Sequence, residues 1–144
     1  MLMNAHQQVI DRAKTNFLQS KGLISHALST TPDDRLNWSP SQTARTPIQQ
    51  AAHAAQSLKG ILEVLNGRAL PSQSTKVADK SFREQEQQFT SREPVLSLLE
   101  KNSAQYVQRL EALTPEALNA TVELSFGLGT KCLTEALSPM HRVI

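Results

Sequence analysis

Apolar residues recur at helical spacing in three separate segments, and chain-breaking residues fence those segments off. This punctuated periodicity limits the chain to a bundle of helices. In the first segment, residues 4–30, Val9, Ala13, Phe17, Ile24 and Leu28 make the stripe, with Ser20 in its gap, and Pro32-Asp33-Asp34 stops it. The second starts at Thr46-Pro47, a cap followed by a residue that needs no N–H, and stops at Asn66-Gly67. Its stripe is Ile48, Ala51, Ala55, Leu58, Leu62 and Leu65. The third runs from about 91 to 113 with Val95, Leu98, Leu99, Tyr106, Leu110 and Leu113 inward. Thr90 with Glu93 matches a capping box there, and Ser91 before Pro94 is an equally good cap.

Between these segments the expectations are looser. Residues 31–45 read as an irregular link in which Trp38, the single tryptophan, should pack on the bundle. Residues 68–89 read as a long polar connection tethered by Phe82 and Phe89. Thr114-Pro115-Glu116 starts a short turn of helix, and Val122, Leu124 and Phe126 alternate as in an extended piece. A fourth helix is expected from near Thr130, with Leu133 and Leu137 inward, Pro139 inside it and Ile144 at its end, shorter than the other three. The fold class is therefore all-α, an up-and-down four-helix bundle with a long connection between helices 2 and 3 and a shortened fourth helix. At 144 residues it forms one domain spanning 1–144.

Composition removes several function classes. Formal net charge is +2 and the basic residues are scattered singly, which argues against a nucleic-acid-binding face. Aromatics are 4% of the chain, too few for stacking platforms. No apolar run reaches membrane-span length, and the first residues lack the basic-then-apolar order of a signal peptide. The lone Cys132 can form no internal disulfide, and a buried small residue is its better reading than a nucleophile. These features together read as cytoplasmic.

Chemistry has few carriers. The histidines are His6, His26, His53 and His141. His53 shares an uncharged arc with Ser57, Gly60 and Val64, apart from the main stripe, while Gln49, Gln56, Lys59 and Glu63 hold a solvent-like side. That arc suits a seam with a second neighbour, with small residues leaving space for a ligand. His141 lies four residues past Leu137 and shares its inward stripe. By spacing alone, each histidine is more commonly a packed or surface residue without a task. His6 and His26 read as solvated. Glu84, Glu86, Glu93 and Glu100 read as surface or cap residues without a catalytic role.

One ordered set of segments carries more than spacing. Leu36-Asn37-Trp38-Ser39-Pro40-Ser41, Ala44-Arg45-Thr46-Pro47-Ile48, Ala51-Ala52-His53, Ser91-Arg92-Glu93 and Leu124-Ser125-Phe126-Gly127 occur in an order that resembles the DinB-like family (DinB/YfiT type). The resemblance implies a four-helix bundle, often dimeric, with a divalent metal such as zinc or nickel held by a His of the second helix and an H-x-x-x-H pair on the fourth. His53 matches the first ligand and His141 the first of the pair. The second of the pair would fall one position beyond Ile144. The site implied is thus incomplete, and an open groove is implied where the rest of the fourth helix would lie. Two functions follow as expectations. One is metal binding with a metal-dependent transferase or hydrolase activity on a small thiol or other small substrate, or a relic of it. The other is a non-catalytic helical module working through self-association, as a homodimer, or through a partner.

Overall fold

The computed structural model describes residues 4–67, 74–124, 129–133 and 137, with backbone alone at 121–124 and 129–132. Helix α1 spans Ala5–Thr30, α2 Pro47–Leu65, α3 Thr75–Glu86, α4 Arg92–Glu111 and α5 Pro115–Asn119. Strands β1 (Thr121–Leu124) and β2 (Gly129–Cys132) pair antiparallel, with Thr121 opposite Cys132 and Leu124 opposite Gly129. The molecule is a helical bundle with this one small antiparallel strand pair among the described residues. No described helix is long and apolar enough to cross a membrane.

Local chemistry sets the helix ends. Asn4 accepts from Gln7 N–H at 2.7 Å and caps α1. Thr46 and Gln49 form a reciprocal capping box at the head of α2, where Pro47 leaves no N–H unpaired. Gly67 closes α2 at φ 80°, in the left-handed region that a side chain disfavours. Thr114 caps α5 by accepting from Ala117 N–H at 3.1 Å.

Two apolar clusters form the core. One joins Ile10, Ala13, Ala55, Leu58, Leu65, Leu99, Tyr106, Leu110, Leu113 and Leu118 with Leu133 and Leu137. The other joins Leu28, Leu36, Ile48, Ala51, Ala52 and Val95 at the opposite end. Long-range ties fix helix direction. Lys14 reaches Glu111 and Lys21 reaches Glu100, so α1 and α4 run antiparallel. Asn102 reaches Ala55 and Arg109 reaches Leu65, so α2 and α4 run parallel. A parallel pair needs a crossover, which is the work of the long connection between them.

Within residues 68–89, expected as a long polar connection, the described part holds α3, capped by the Ser74 side chain at Val77 N–H. Its inward face carries charge in place of an apolar stripe, so periodicity of apolar residues did not reveal it. Trp38 also departs from expectation. It is 51% exposed, with the Arg35 guanidinium 5.7 Å over its ring. The loop is anchored instead by buried Leu36 and by Asn37, which donates to the Thr90 carbonyl. Near Thr130, the expected start of the fourth helix, the chain is still in β2, and helical residues appear at Leu133 and Leu137. Phe126 and the remainder of the expected fourth helix lie outside the described residues.

Candidate functional site around His53

Glu86 is the residue around which the site is built. It is the last residue of α3 and 1% exposed. A carboxylate removed from water needs partners for its lone pairs. Arg45, the residue before the α2 cap, supplies two of them: Nε donates to Oε1, and Nη2 to Oε2 at 3.2 Å. The same Nη2 donates to Asp79 Oδ1 at 3.0 Å. His53 Nδ1 lies 3.0 Å from Glu86 Oε2. The Phe82 ring meets the imidazole edge to face, with centroids 4.8 Å apart.

The spacing of α3 produces this convergence. Asp79, Phe82, Arg83 and Glu86 recur at three and four residues and so share one helix face. That face meets Arg45 and His53. Within it Arg83 Nε donates to Asp79 Oδ2 at 2.7 Å. Arg83 first, and Arg45 second, hold the Asp79 carboxyl below the ordinary carboxylate range. The hydrogen bond to Glu86 pushes the Arg45 guanidinium further toward its charged form. The signal for Glu86 was therefore in the sequence, as charges at helical spacing in a stretch read as a connection.

His53 has its side chain 38% exposed, between α3 and solvent. Ser57, one turn on, bonds back to the His53 carbonyl at 2.7 Å. Gln56, expected on a solvent-like side, is 7% exposed. Glu86, expected on the surface, is buried for the reason already given. His26 is exposed and His6 half-buried, with the His6 Nδ1 atom shielded and unpartnered. His141 and the side chain of Cys132 lie outside the described residues.

The model of the DinB superfamily matches residues 17–138, most of the chain and the whole of this cluster. The chain belongs to the DinB superfamily. No curated protein and no solved structure matches it. For a DinB superfamily chain the donor set at His53 can be tested against a metal ion. A carboxylate on one ring nitrogen is the usual company of an imidazole that ligates through the other, so His53 fits a ligand role. Among the described residues no group of three or more His, Cys, Asp or Glu converges to complete a site.

Proposed function

We propose that this DinB superfamily chain binds a divalent metal ion such as zinc or nickel, with Nε2 of His53 as one ligand and His141 as a second. The observation that carries the reading is the buried Glu86 carboxylate on Nδ1 of a half-exposed histidine. It orients the ring and leaves the other nitrogen for a ligand bond.

When bound, such an ion lowers the pKa of a coordinated thiol or water and supplies a nucleophile at neutral pH. The activity class proposed is a metal-dependent transferase or hydrolase acting with a small thiol or similar substrate. Protein without an affinity tag, loaded with zinc or nickel and desalted, should retain metal. His53→Ala and His141→Ala should each lose it and melt at the temperature of the metal-free protein. Failure of the parent chain to hold any of these metals above trace level would refute the reading.

Two separate pockets between α1 and α2 favour a second reading, one walled by Ile24, Leu28, Pro47 and Ala51 and the other by Phe17, Leu23, Leu58 and Ile61. Leu23 is 68% exposed, and Leu18, elsewhere on α1, 42%. Apolar surface of this kind suits burial against a second copy of the chain. Sedimentation of the parent and of Leu23→Asp tests it: a dimer that the substitution dissociates supports self-association, and a monomeric parent rejects it.

A further inference from the structure

We infer that Glu86 is a positioning residue that locks His53 as the Nδ1–H tautomer, and that Arg45 is what makes the lock work. Donors and acceptors decide the tautomer. The Arg45 guanidinium has only donors, and it engages both oxygens of Glu86. Glu86 therefore meets Arg45 as an ionised acceptor with no proton to offer. His53 Nδ1, at 3.0 Å from Oε2, must then be the donor. A neutral imidazole has one N–H, so its lone pair is left on Nε2. The Phe82 ring packs edge to face against the imidazole, and the 1% exposure of Glu86 keeps water from competing for its oxygens.

This gives a task to the Ala44-Arg45-Thr46 segment. Thr46 is consumed by capping α2, and Arg45, one residue earlier, reaches across to the end of α3. The presentation of Nε2 to an ion rests on the metal reading above, whereas the tautomer does not. The charged groups packed around the cluster are Arg45 from α2's leading loop and Asp79, Arg83 and Glu86 from α3.

Glu86→Gln separates positioning from mere packing. Its amide has one acceptor oxygen, which the guanidinium takes, so the NH₂ group turns to His53. Nδ1 must then accept, and the ring proton moves to Nε2. The test is nitrogen NMR of the metal-free full chain at mildly alkaline pH. The parent should show a protonated Nδ1 at His53, Glu86→Gln a protonated Nε2 with the helical signal unchanged, and Glu86→Asp the parent pattern. A parent His53 protonated at Nε2, which needs no variant to fold, overturns the inference. So does a folded Glu86→Gln that keeps the parent pattern. In a separate arm zinc alone is titrated, and the affinity of Glu86→Gln should fall roughly 10- to 100-fold. Absence of zinc binding in the parent defeats the ligand reading, and the tautomer result still decides the positioning.

Discussion

Asn102 of α4 donates its side-chain amide to the backbone carbonyl of Ala55 in α2 at 2.8 Å, with Asn102 4% exposed and Ala55 fully buried. The bond helps fix the register of the two parallel helices. Asn102→Ala removes the donor and leaves space behind, and should cost about 1–3 kcal/mol in urea unfolding. Asn102→Asp should cost more, since a carboxylate there faces a carbonyl with no donor between them. An alanine variant within about 0.5 kcal/mol of the parent would show the bond to be dispensable.

Arg92 links the start of α4 to the end of α1. Its Nε donates to the Leu28 carbonyl at 3.0 Å and its Nη2 to the Thr31 carbonyl at 2.7 Å, with Asp33 2.9 Å from Nη1. Helix α1 has no basic residue in its own last turn, so Arg92 brings the cation that its terminal carbonyls attract. Arg92→Met keeps the stem and removes the charge. It should lower stability by about 1–2 kcal/mol, and Arg92→Lys should recover only part of this because a lysine cannot span both carbonyls in a fixed fork. Equal stability of all three proteins would remove the crosslink from the account of how α1 is held.

These two ties mark the boundary of what the amino-acid order reveals. The stripes through Ala55, Leu58, Leu65, Val95, Leu99 and Leu110 carry helical period in plain view, and all of these residues are buried. Thr46-Pro47 and Asn66-Gly67 announce the ends of α2 because capping is a matter of neighbouring residues. The site is a different case. His53 stood out as a histidine on an uncharged arc, but its partner Glu86 lies 33 positions away on a helix whose buried face is charged. A glutamate in a polar run looks like surface until a guanidinium is known to cover it. Ion pairing across a crossover depends on topology, and neither Arg45 nor Glu86 carries a mark that names the other. Trp38 failed for the opposite reason: apolar area suggested burial, and a stacked Arg35 satisfied the ring at the surface.

Tyr106 sets an alkaline limit. It is 6% exposed, edge to face with Phe17 at a centroid distance of 4.5 Å, and burial pushes its phenol above the ordinary value of 10.0. Below that value the phenol is neutral in both the folded and unfolded chain, so it adds no pH dependence. As pH rises past about 10, the unfolded chain ionises first and stability falls, by at most about 1.4 kcal/mol per pH unit for one proton. Urea midpoints followed from neutral to strongly alkaline pH should drop less steeply in Tyr106→Phe than in the parent, while the two agree closely at neutral pH. Parallel alkaline slopes would mean that this phenol titrates alike in both states.

Helix α3 should be the first long helix to open. Glu86 is its only buried residue, and its docking rests on Arg45, His53 and the Phe82 ring instead of an apolar stripe. Local stability follows buried apolar contact, so α3 amides should exchange well ahead of those of α2 and α4. Arg45→Ala should speed α3 further and leave the interior of α4 nearly unchanged, because the guanidinium it removes leaves Glu86 buried beside a single partner. The pH response has a definite sign. Asp79 is held below the ordinary carboxylate value, chiefly by Arg83 and then by Arg45, so its contribution is present above about pH 4 and is lost as pH falls through its lowered folded-state value. Exchange in α3 relative to α2 should therefore accelerate at the acid end, and Asp79→Asn should remove that component. Uniform protection across α2, α3 and α4 would place α3 within the same cooperative unit and contradict a docking held by polar ties.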